Sequence, residues 1–246
     1  MTRDTIEYDY VDYVDYDHAC GADKVKKILE FEMVRSRVNV WQIQHGDTLD
    51  IGCATGRYPL WFAQQGFNAT GYDRSPDAIR FCRERSADKP YRSRLLFETR
   101  DIVAADVPTE SFIVITSMMG TVNHLDPRQR APFLAKCTRG LQSNGHVMLS
   151  CWNPQSPHQG LLSLYDRDEK ALLLHRLLPA DKMASLVLAA GLIDVTIHYF
   201  CLLPDDSYDS WPPDLSDEEV AALEATHAEL TPSQSGQMYL ITGRKP

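Results

Sequence analysis

The sequence predicts an α/β fold: a mostly parallel sheet of seven strands with helices on both faces. Three observations carry this. From residue 46 onward, short strand-like apolar runs alternate with longer amphipathic ones. The run "SFIVITSM" is apolar almost without interruption, as in a strand buried on both faces. The stretch "LDIGCATGRYPLWFAQQG", Leu49 to Gly66, falls from a strand into small residues and then into a helix. Such a turn bares backbone for a ligand at the carboxyl edge of a sheet.

The elements follow in order. Residues 2–17 are rich in Tyr and Asp ("YDYVDYVDYD"), and Tyr8, Tyr10, Tyr13 and Tyr16 keep no single period, so this segment reads as an irregular arm. From Asp23 to about Gln44, Val25, Ile28, Leu29, Met33 and Val34 recur at helical spacing, with charges on the other face. "DTLDIG" is a strand, and "YPLWFAQQG" a helix stopped by Gly66. "NATGYD" is a strand. "SPDAIRFCRERSA" is a helix with Ser75 as its cap and Pro76 at its first position. "RLLFETRD" and "SFIVITSM" are strands, "DPRQRAPFLAKCTRGL" a helix capped by Asp126, and "GHVMLSCW" a strand. Helix-forming sequence runs on to Gly191, and "DVTIHYF" and "GQMYLITG" close the sheet as a hairpin. Between those two lies an insertion of about 35 residues. It holds "SDEEVAALEATHAEL", a helix opened by a capping box of Ser216 and Glu219.

Composition narrows the function classes. The 246 residues, 43% of them hydrophobic, suffice for one large domain with an elaborated lid. No apolar run is long enough to span a membrane and no signal peptide opens the chain, so a cytoplasmic protein is expected. The six cysteines form no C-x-x-C pair and lie at no metal-site spacing; reduced, half-buried thiols and no metal are expected. The net charge of -9 is concentrated at the flanks: residues 1–17 sum to -5, residues 205–229 to -9, and the remainder to +5. No basic stripe suits a nucleic acid. Acid on both candidate lid segments favours a cationic ligand over a phosphate, and equally fits a solvated face.

The small-residue turn separates two ligand classes. A dinucleotide loop wants G-x-G-x-x-G, but the third glycine position is Arg57. The spacing that fits is Gly52, Ala54, Gly56, with Asp50 two residues before it. "LDIGCATG" resembles motif I of the class I S-adenosylmethionine-dependent methyltransferases, with Ala54 in place of the family's middle glycine. Further positions agree in order. "GYDRS" ends the second strand at Asp73, with Arg74 beside it; "ETRDIV" ends the third at Asp101 and Ile102; and "FIVITSMMGTVNHL" resembles motif IV, with Ser117 and Met118 at its end.

The resemblance implies a Rossmann-like fold, S-adenosyl-L-methionine as cofactor, and methyl transfer to a small molecule. It implies that Asp73 accepts from the ribose hydroxyls, that Asp101 and Ile102 meet the adenine, and that Ser117 to Gly120 pass under the methionine portion. The chain then reads as one domain: arm and helix 1–45, cofactor-binding core 46–202, acidic inserted lid 203–236, last strand 237–246. Since the acceptor must only be held in line with the methyl group, few side chains need react. His124 is the candidate general base, ahead of His18 and His175. Tyr13 and Tyr16 are the arm's candidate contacts to cofactor or acceptor. Arg35 or Arg37 is a candidate partner for the methionine carboxylate, and Trp152 and Asn153 should face the acceptor, an amine or heterocycle by preference. A protein or RNA acceptor, or cofactor binding without methyl transfer, are the alternatives. The oligomeric state is left open.

Overall fold

The computed structural model describes residues 21–158, 167–228 and 236–246. Helix α1 (Gly21–Val40) leads into β1 (Asp47–Ile51), α2 (Arg57–Gln64), β2 (Asn68–Asp73) and α3 (Pro76–Ser86). Strands β3 (Leu95–Thr99) and β4 (Phe112–Ser117) follow, then a 3-10 turn at Thr121–His124, α4 (Pro127–Gly140) and β5 (Leu141–Trp152). Helices α5 (Arg167–Arg176) and α6 (Ala180–Ala189) precede β6 (Ile193–Phe200). The insertion carries α7 (Asp205–Asp209) and α8 (Asp217–Ala228), and β7 (Met238–Arg244) comes last.

The seven strands form one sheet in the order β3-β2-β1-β4-β5-β7-β6. The first five pair in parallel, and β7 runs antiparallel between β5 and β6. Side chains alternate between two cores, as the period of a strand requires. Val114, Met148 and Leu240 face a core shared with Val34, Phe62 and Ile79 of α1, α2 and α3. Ile115, Val147, Leu149 and Ile241 face the other, with Leu134 of α4 and Val187 of α6. The predicted seven-stranded α/β architecture is therefore the observed one. Its caps are also as read. Ser75 Oγ accepts from Ala78 N at 3.2 Å, and Asp126 opens α4 with a capping box completed by Gln129.

The charged face predicted for α1 is a correction. Lys26 and Glu30 are 0% exposed and Lys27 is buried. For Lys26 the reason is the insertion. α7 and α8 pack on the flank of α1 that the sequence assigns to water. Lys26 Nζ meets Asp205 Oδ1 at 2.6 Å, and Gln237 Nε2 donates to the same oxygen at 2.9 Å. Ala22 N donates to Asp209 Oδ1 at 2.7 Å. Glu224 of α8 accepts from Leu202 N at 2.7 Å and from the Tyr208 hydroxyl at 2.8 Å. Polar groups so buried need such partners, and these partners fix the insertion to the body. Five cysteines, Cys53, Cys82, Cys137, Cys151 and Cys201, are free and fully buried rather than half-buried.

Candidate active site

The carboxyl ends of β1, β2 and β4 converge where the chain must turn sharply. After β1, Gly52 (φ 78°), Ala54 (φ 45°) and Gly56 (φ 83°) all adopt left-handed backbone. Gly52 N and Cys53 N both donate to Tyr72 O, at 2.8 and 3.0 Å, so the loop is stitched to β2. A side chain on Gly52 would meet Thr121 Cγ2 at 2.5 Å. The glycine therefore also lets the first loop approach the turn after β4. Gly56 is crowded in the same way by Cys82 and Phe97.

Asp50 lies 3% exposed beneath this loop, and the Thr116 hydroxyl donates to its Oδ1 at 2.7 Å. Burial pushes its carboxyl up to about 7; the Thr116 hydrogen bond opposes this, and the charges of Glu30 and Asp73 add to it. Asp73 ends β2 with both oxygens engaged: Ala54 N donates to Oδ2 and Ser75 N to Oδ1, each at 2.9 Å. It thus clamps the glycine loop to the start of α3. Burial raises its pKa, and the backbone N–H groups of Ser75, Ala54 and Arg74 lower it.

Asp101 is exposed after β3, where its Oδ1 accepts from Val103 N at 2.9 Å and shapes the turn. Ile102 is half-buried against the core on the α4 side. Ser117 is 0% exposed and donates to Ile51 O at 3.0 Å, strapping β4 to β1; Met118 is buried beside it. Arg74 is exposed at the rim.

After β4 the backbone is left-handed twice, at Met119 (φ 51°) and Gly120 (φ 77°). A side chain on Gly120 would come within 3.0 Å of the Trp152 ring. His124 closes the turn edge-on to Trp152, with ring centroids 6.0 Å apart. Burial lowers the His124 pKa to about 4, with Arg74 and Arg176 adding to the effect, so the imidazole is neutral at pH 7. A base of that strength removes protons poorly from a hydroxyl.

Other expectations change. Arg35 pairs with Glu32 at 2.6 Å, and Arg37 Nη1 lies 3.4 Å from His198 on β6, so neither is gathered with the loop residues. Trp152 is core, 6% exposed. Asn153 bonds to backbone: its Nδ2 donates to Gly236 O at 2.9 Å and its Oδ1 accepts from Gln155 N at 3.0 Å. His175 is exposed on α5. Tyr13, Tyr16 and His18 lie outside the described residues. Among the acids of the insertion, Asp205, Asp209 and Glu224 are engaged in internal bonds.

One site residue escaped the sequence reading altogether. Glu30, from the middle of α1, reaches the loop after β4. Its Oε1 accepts from Met119 N at 2.8 Å and from the Ser150 hydroxyl, and its Oε2 accepts from the Tyr58 hydroxyl at 2.5 Å. Burial raises its carboxyl; Arg57 and these three donors pull the other way.

Acidic residues thus lie at or just past the ends of three strands: Asp50 is the last residue but one of β1, Asp73 the last of β2, and Asp101 two residues past β3. That donor set suits a ligand rich in hydroxyl, amino and cationic groups and opposes a pyrophosphate, so it fits S-adenosylmethionine. Residues 48–145 match the profile of a family described as a methyltransferase domain. Solved structures share this chain's fold. A SAM-dependent methyltransferase from Archaeoglobus fulgidus is 18% identical with a TM-score of 0.58, covering 87% of this chain and 94% of that one. Phosphoethanolamine N-methyltransferase 2 of Haemonchus contortus, solved with S-adenosyl-L-methionine, is 16% identical with a TM-score of 0.58. That match covers 82% of this chain and 49% of the other. The cyclase SpnF is 17% identical with a TM-score of 0.55, covering 86% and 80%. Among curated proteins none matches the sequence. Among the described residues no helix is long and apolar enough to cross a membrane.

Proposed function

We propose that this chain transfers the methyl group of S-adenosyl-L-methionine to a nitrogen of a small molecule, a neutral amine or a ring nitrogen. The observation that carries the reading is the run of carboxylates at or near the ends of β1, β2 and β3, together with the Gly52–Gly56 loop. Asp73 would accept from a ribose hydroxyl with the capacity that its backbone donors leave. Asp101 would accept from the adenine amino group and Ile102 would cover the ring. The loop backbone, Ser117 and Met118 would bound the methionine end, above the buried charge of Asp50. The bound cofactor supplies an electrophilic methyl group on a sulfonium centre. The chain's part is to align the acceptor and exclude water.

Nitrogen is preferred to oxygen because His124 is neutral and weakly basic. A neutral nitrogen attacks through its own lone pair and releases any proton afterwards to water, whereas a hydroxyl needs a base during attack. The exposed acids Asp206, Asp214, Asp217 and Glu218 still favour a basic acceptor over a phosphate. The phosphoethanolamine N-methyltransferase shares the fold and acts on nitrogen, in keeping with this reading.

Calorimetric titration with S-adenosylmethionine, and with NADH in parallel, tests the pocket. Saturable binding of the first alone is expected. A radiolabelled methyl-transfer screen of small amines, heterocycles and phenols then tests the acceptor, and label on phenols alone would overturn the nitrogen reading. A second reading, binding without methyl transfer, draws on the cyclase SpnF sharing the fold. Tight cofactor binding with no acceptor labelled across the screen would favour it.

A further inference from the structure

We infer that Glu30 is a positioning residue for the methionine end of the cofactor, acting through the loop after β4. The inference rests on the cofactor assignment above and adds to it a residue from outside the region matched by the family profile, which begins at residue 48.

The argument starts from the donors that Glu30 gathers. Met119 N lies in the loop after β4, the Ser150 hydroxyl near the end of β5, and the Tyr58 hydroxyl in the first turn of α2. These three elements face the space where a strand-end ligand lies in such a sheet. Glu30 is 0% exposed on a helix that is not part of the sheet, and it joins all three. Met119 N can only donate and both hydroxyls donate here, so two carboxylate oxygens receive all three; an amide, with one oxygen, would have to turn a hydroxyl round into an acceptor.

The loop it holds has bonds of its own, from Thr121 N and the Thr121 hydroxyl to Met118 O at 3.1 and 2.8 Å, yet it is strained. Met119 and Gly120 are left-handed in succession, and Met119 is not a glycine, so its backbone is strained. Met119 N also donates to Ser150 Oγ at 2.6 Å, and Gly120 N donates to Ser150 O at 3.2 Å. Ser150 and Glu30 therefore share the task of keeping this strained turn in place. Ser117 and Met118, immediately before it, are the residues assigned to the methionine portion. Loss of the Glu30 carboxylate should relax this turn while leaving the end of β2 and the turn after β3 untouched. Those are clamped separately, through Asp73 and Asp101.

The test follows from that division. Dissociation constants are measured for wild type and Glu30→Gln with two probes: S-adenosylmethionine, and 5′-methylthioadenosine, which keeps the adenosine and the sulfur but has no amino-acid end. Glu30→Gln should weaken S-adenosylmethionine about tenfold and change methylthioadenosine less than twofold. Equal weakening of both means general loosening and overturns the inference, as does no weakening of either. Ser150→Ala provides a second variant should Glu30→Gln fail to fold. It should show the same selective loss at smaller size, and an equal loss on both probes would again overturn the proposal. If wild type binds neither probe, the cofactor assignment itself fails, an outcome distinct from all of these.

Discussion

Ala54 occupies a backbone position that costs it energy. At φ 45° an L-residue pays a steric penalty that glycine does not. Ala54→Gly is therefore expected to stabilise the fold by about 0.5–1 kcal/mol, net of the added freedom of the unfolded chain, as read from urea unfolding. Asp50 gives a pH signature. Its folded pKa, about 7, stands above its ordinary value of 3.8, so the folded state holds the extra proton between those limits. Stability from this group is fully present below about pH 4 and declines as pH rises to 7. Asp50→Asn, which keeps an oxygen for Thr116, should remove that decline and raise stability at pH 8 by on the order of 2 kcal/mol. It should also weaken cofactor binding and abolish the part of its pH dependence that is due to Asp50. In wild type a cationic ligand favours the ionised form, so affinity should rise with pH up to about 7 by calorimetry. His124 contributes with opposite sign: its depressed pKa means stability lost as pH falls from about 6.5 to 4.

At the scale of elements, local signals were legible wherever they were local in origin. Ser75, Asp126 and the Ser216–Glu219 box mark helix starts because a cap is a contact between neighbours in sequence. The face of α1 was not legible. Lys26 and Glu30 read as solvent-facing because nothing nearby in sequence announces the partners that bury them, Asp205 in one case, Met119, Ser150 and Tyr58 in the other. For the same reason Asp50, Asp73 and Asp101 could be proposed from the sequence, by their places near the ends of strands, and Glu30 could not. The ion pair is testable. Asp205→Ala strands the Lys26 ammonium in the interior and should cost about 3–5 kcal/mol. The double variant Lys26→Met, Asp205→Leu should recover most of it, since a buried pair exchanged for apolar groups is often close to neutral. Urea unfolding of the two variants checks this. Retention of full stability in Asp205→Ala would show that the ammonium reaches water.

At the scale of the molecule, the alternation of periods in the sequence was enough to give the sheet and its two helical layers, because each strand and helix declares its own buried face. The strand order near the end of the chain has its own consequence. β6 pairs with β7 alone, and β7 reaches its place between β5 and β6 only after the whole insertion has been passed. As the chain emerges during synthesis, β5 keeps a bare edge and β6 has no partner until the last strand arrives. The sheet thus closes late, like a zip fastened by its final tooth. Until then an apolar edge stands open to other chains, so the nascent protein is most vulnerable to aggregation just before β7 is made.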